Sequence, residues 1–213
     1  CMKKKKIRKR IEKAAKSGQI CRIYTESEPD EPSRFLPLAI SDELVHMIKD
    51  GDPEAYGYSV RSLDVIKKVK VEDSGGKSVW KEISEKPEEM PELNIQDWPS
   101  VFKSLGEYGK VVIVESEKLA KKDGRYAVGR IEKVGRKQVT IRYYGPDTVW
   151  ENKRWKIPYE NVTWVTVNSR YTEVLNGYVP ESDRAAGVET ENEEQETEKA
   201  AVGETEHAIS EER

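Results

Sequence analysis

The sequence predicts a mainly β protein with short helices, built as two small five-stranded bent-sheet barrels, each preceded by a helix, and followed by a disordered acidic tail. Three observations point there. Short runs of alternating apolar and polar residues recur along the body, as half-buried strands require. The body also carries an internal repeat. Finally, the last thirty or so residues change composition abruptly, to Glu, Thr and Ala with no aromatic residue.

The elements follow in order. Ile7, Ile11, Ala14 and Ala15 fall on one helical face, and Ser17-Gly18 ends the helix. Strand-like runs come next: Gln19–Tyr24, Arg34–Ile40, Leu44–Lys49 and Tyr56–Val60, then Leu63–Val71 as a short turn and a strand. A linker with Gly75-Gly76, Pro87 and Pro91 spans 72–94. Asp97 then supplies an N-cap for a second helix bearing Trp98, Pro99, Val101, Phe102 and Leu105. The second set of strands reads Lys110–Glu115, Tyr126–Val134, Gln138–Tyr144, Trp155–Ile157 and Tyr159–Val167. Its last member aligns without gaps to Leu63–Val71, with apolar residues in the same register. The domains expected are 1–71, 95–178 and a tail over 179–213. So few short strands bury their edges best by curling into a barrel.

Charge is distributed unevenly. The formal net charge of -3 conceals a basic head, where residues 1–16 carry nine Lys or Arg against Glu12. Residues 181–213 hold twelve acidic and three basic residues, and the body between is nearly neutral. The head reads first as an amphipathic helix docked on its domain with a solvated lysine face. Its second reading is a phosphate-binding surface, with anionic membrane behind it because the apolar stripe is small. The tail reads as a solubilising segment, or more sharply as an anionic competitor for the head.

Two cysteines and two histidines leave little for a disulfide framework, a zinc cluster or His-based catalysis. No carboxylate pairs with a nucleophile or a metal-ligand pattern. A non-catalytic protein with no cofactor and no metal is expected. Mean hydropathy of -0.81 and the absence of a long apolar run argue against a transmembrane segment. A reduced, cytoplasmic setting follows from the cysteine usage.

A helix, five bent strands and a short turn before the last strand resemble the Sm-like fold of RNA-binding proteins, with SH3-like barrels sharing much of the pattern. The Gly18 and Gly109 strand starts and the two aligned C-terminal segments carry the resemblance, over roughly 1–71 and 95–178. The Sm nucleotide-binding signature, an Asp-Gly segment before the third strand and an Arg-Gly turn before the fifth, has no counterpart. By position, the turns that contact RNA in Sm-like proteins correspond to Gly135-Arg136-Lys137 and Pro158-Tyr159-Glu160-Asn161. The resemblance therefore implies that Arg136 and Lys137 hold a phosphate, Tyr159 stacks on a base and Asn161 bonds a base edge. As a plain reading of residues, both are ordinary turns, the second closing the barrel end with its ring.

Alternation adds a further expectation. If the valine and isoleucine faces are the core, Arg142, Tyr144 and Trp164 point outward and form an aromatic-plus-arginine surface. Candidate contacts are thus Lys3, Lys4, Lys5, Lys6, Arg8 and Arg10 in the head, with Arg136, Lys137, Arg142, Tyr144, Tyr159, Asn161 and Trp164 in the second half. The partner expected is RNA or single-stranded nucleic acid. The competing expectation is a protein-interaction module that self-associates through strand edges, as Sm-like proteins do in rings.

Overall fold

A computed structural model describes residues 3–26, 29–49, 57–72, 92–119, 126–184 and 187–190. The described chain is mainly antiparallel β-sheet with few helices. The first helix, α1 (Lys4–Ser17), buries Ile7, Ile11 and Ala14. It ends where Gly18 turns left-handed (φ 62°), and the second helix, α2 (Trp98–Tyr108), ends the same way at Gly109 (φ 73°). Glycine reaches this conformation without a steric penalty, so the repeat extends to the caps. Asp97 accepts a hydrogen bond from the Ser100 amide at 2.9 Å, as an N-cap should.

Five strands follow α1: β1 (Cys21–Thr25), β2 (Ser33–Ile40), β3 (Leu44–Lys49), β4 (Tyr58–Ser62) and β5 (Ile66–Val71), the last preceded by a 3-10 turn over Leu63–Val65. Five more follow α2: β6 (Val112–Glu115), β7 (Tyr126–Val134), β8 (Gln138–Tyr144), β9 (Trp150–Pro158) and β10 (Trp164–Val167), with a matching 3-10 turn over Tyr159–Asn161. The fourth strand of the second half is thus longer than the three residues expected. Its outer positions are charged, which hides the alternation.

All these strands join in one sheet, in the order β5-β1-β2-β3-β4-β10-β6-β7-β8-β9. Each half has the same internal order, with its fifth strand beside its first. Neither half closes by pairing its own fourth and fifth strands. Instead β4 pairs antiparallel with β10, Trp164 opposite Arg61 and Val165 opposite Val60. The sheet is open, with β5 and β9 at its ends.

The joint explains how two small cores suffice. α1 covers a face bearing Cys21, Ile23, Phe35, Val45, Met47 and Val69, while α2 covers Val112, Val114, Ala127, Val139, Ile141, Val165 and Val167. The register places these on opposite faces of the continuous sheet. Each half therefore lends its outward residues to the other. Leu44 and Val60 enter the second core, and Trp164 packs against the first, its ring edge-on to Phe35 at 5.8 Å.

Part of the segment expected as tail, 179–184 and 187–190, holds described structure. Helix α3 (Arg170–Tyr178) is capped by Ser169, Val179 is buried, and a short helix α4 (Glu181–Arg184) follows. A two-residue strand, β11 (Glu189–Thr190), then pairs in parallel with β7. The expectations for 191–213, and for most of the linker, lie outside the described residues.

Candidate nucleic-acid interface

The basic head forms one exposed helical surface. With Ile7, Ile11 and Ala14 turned inward, Lys3, Lys5, Lys6, Lys9, Arg10 and Lys13 line an open shallow depression along α1. Two of the candidate cations instead anchor the helix. Lys4 pairs with Asp64 at 2.7 Å and Arg8 with Asp42 at 2.8 Å. Arg10 has a third role, donating from Nη1 to the Val69 carbonyl oxygen at 2.9 Å. That carbonyl belongs to β5, an end strand of the sheet, so the guanidinium joins the helix to the sheet edge.

The edge itself is cationic. Lys68 and Lys70 are exposed on β5, on the sheet face opposite α1, and Lys67 pairs with Glu26 at 2.8 Å. Lys68 Nζ lies 4.9 Å and Lys70 Nζ 5.8 Å from the centre of the half-buried Tyr24 ring. Nearby, Glu72 holds both Arg34, at 2.6 Å, and Arg22. These contacts, Arg34 first, keep its carboxyl below the usual carboxylate range despite partial burial. Tyr24, Lys68 and Lys70 are not among the contacts the sequence singles out. The signal was present in Lys67-Lys68-Val69-Lys70, whose alternation puts Lys68 and Lys70 on one face.

The second half behaves differently from the expectation. Tyr144 does not point to solvent: it is 1% exposed, lies 4.4 Å from the Trp150 ring, and donates its hydroxyl to the Tyr178 carbonyl at 2.8 Å. α3 covers the face that alternation assigned to water, packing Leu175 and Val179 against Ile113, Val128 and Tyr144. Arg142 stacks its guanidinium 4.6 Å from the Trp150 ring. Trp164 is the half-buried wedge of the joint, with the Arg61 guanidinium 4.1 Å from its ring centre. These three therefore form no exposed patch.

The two turns also differ from each other. Arg136 and Lys137 are exposed in the β7–β8 turn. Tyr159 is engaged, its hydroxyl donating to the Gly135 carbonyl at 2.7 Å and its ring stacked 5.9 Å from Phe102. Its amide donates to the Lys137 carbonyl at 3.0 Å, so it fastens the two turns together. Asn161 is half-buried in the 3-10 turn.

Arg61 is 1% exposed and bonds Glu117, itself almost fully buried, across the joint. Burial pushes the Cys21 thiol up to about 12 and His46 down to about 4, so the thiol and the imidazole are both neutral at pH 7. Among the described residues no three His, Cys, Asp or Glu side chains are grouped to hold a metal ion. No described helix is long and apolar enough to cross a membrane. Comparison with protein-family models, with curated proteins and with solved structures gives no match to this chain.

Proposed function

We propose that this chain is a non-catalytic binding protein that holds RNA or another single-stranded nucleic acid by its phosphates, using the lysine face of α1 and the adjoining β5 edge. The observation that carries the reading is the row of exposed cations along α1, Lys3, Lys5, Lys6, Lys9 and Lys13, which Arg10 ties to the end strand β5. Phosphates binding there release counterions from the nucleic acid, a gain that needs no pocket. Tyr24, between Lys68 and Lys70, adds a ring on which an unpaired base could stack. In this reading Arg136 and Lys137 form a separate, smaller contact.

The Sm-like reading of each half as a small barrel belongs to the same proposal. It is supported by the identical strand order of the halves and by the joint, where a fourth strand meets the next fifth strand. Sm-like proteins join neighbouring barrels through such edges. That supports a second reading, assembly of copies through β5 and β9. Charge ranks it lower, because β5 carries Lys67, Lys68 and Lys70 while β9 carries Lys153, Arg154 and Lys156. Lysine on an edge strand is a common guard against such pairing. The internal joint, by contrast, pairs its buried Arg61 with Glu117.

Filter binding of labelled single-stranded RNA tests the proposal. Retention is expected at low salt, weakening steeply as salt rises, with a loss of tenfold or more when Lys5, Lys6, Lys9 and Lys13 are changed together to Gln. No retention at low salt would sink it.

A further inference from the structure

Strand β7 has two different neighbours along one side. Its first half, Tyr126–Gly129, is paired by β6. Beyond Gly129 that side is left open by β6, and there Glu189 and Thr190 of β11 lie beside Lys133 and Val134. The residue before them, Val188, rests on α2 at Gly106. A Cβ added to Gly106 would come within 2.6 Å of Val188 Cγ2, so the glycine is the floor of the seat.

Three features make this segment a weak occupant. Its strand is two residues long, and both are exposed. It pairs in parallel, the less stable ladder per residue. And Gly187 offers no side chain where there is room for one, since a Cβ built there meets nothing within 4 Å. Gly187 and Val188 border a cavity of about 650 Å³, lined also by Lys103, Glu107, Lys110, Arg130 and Val179. The segment covers one wall of that space.

We infer that the groove between α2 and the outer edge of β7 is a strand-addition site for an extended peptide, and that the chain's own Gly187–Thr190 occupies it as a displaceable internal ligand. The partner follows from the seat. It is an extended segment with a small branched aliphatic residue over Gly106 and an acidic residue beside Lys133. A side chain at the Gly187 position reaches into the cavity. Main-chain bonds to β7 give affinity, and the Gly106 seat and the cavity give specificity.

Fluorescence anisotropy tests this with the full chain and two labelled peptides, one carrying Gly-Val-Glu-Thr and one with Leu in place of its glycine. The variant Val188→Asp unseats the internal segment. It is expected to bind both peptides at least tenfold more tightly than the unaltered chain does, the Leu peptide best. Adding Gly106→Leu to that variant fills the seat and should abolish binding. In the unaltered chain, saturating Leu peptide should speed amide hydrogen exchange at Glu189 and Thr190. Absence of binding to Val188→Asp of unchanged circular dichroism, with exchange unaffected in the unaltered chain, would overturn the inference.

Discussion

The two halves share a strand order and use their polar side chains in opposite ways. In the first, the helix keeps its lysines in water and the end strand presents Lys68 and Lys70 beside Tyr24. In the second, the arginines and aromatic rings are turned to packing: Arg142 on Trp150, Tyr144 beneath α3, Trp164 into the joint. The difference traces to α3 and to the joint, which takes up Trp164. The second half has α3 on the outer face of its sheet, while on the outer face of β5 and β1 Lys68, Lys70 and Arg22 are exposed. A repeated scaffold thus yields one half that presents charge and another that stabilises the whole.

The two halves depend on each other most at the joint. Changing Glu117 to Ala leaves Arg61 buried without its carboxylate, and an unpaired buried charge costs about 3–5 kcal/mol. Because each half completes the other's core, urea unfolding should remain a single transition with a lower midpoint. Two separated transitions would show that the halves are independent.

His46 offers the next largest effect. Its ordinary value is 6.5 and burial lowers it to about 4, so the unfolded chain takes up a proton that the folded chain refuses. Stability from this group is complete above pH 6.5 and is lost as pH falls toward 4, by about 3 kcal/mol in all. Denaturation midpoints at pH 7 and pH 4.5 should converge in His46→Leu relative to the unaltered chain. An unchanged difference would assign the acid sensitivity to the carboxylates alone.

The smallest effect sharpens the division of labour. Tyr144→Phe removes the bond to the Tyr178 carbonyl and should cost about 1 kcal/mol in urea unfolding. RNA retention on filters should change less than twofold. A larger loss of binding with stability intact would return Tyr144 to the interface.

Much of this organisation was legible. The strands Leu44–Lys49, Tyr126–Val134 and Gln138–Tyr144 begin and end where the alternation does, and both 3-10 turns fall where the aligned segments predict them. The stripe of α1 needed only its own spacing. The candidate site was less legible. Lys5 and Lys6 could be assigned to water, but nothing local separates Lys4 and Arg8, which meet Asp64 and Asp42, from their neighbours. Charged partners more than thirty residues away are a property of the fold.

Local spacing was enough for the repeat, the caps and most of the strands, because each depends on residues a few positions apart. Which faces are covered depends on packing between distant elements. Alternation divides a strand into two sides, but it names the buried side only when a single side is buried. Here α1, α2 and α3 cover different faces of one sheet, and the joint exchanges inside for outside between the halves. That is why Tyr144 and Trp164 are packed where their parity assigned them to solvent. It is also why the tie from Arg10 to the Val69 carbonyl becomes visible only once helix and strand meet.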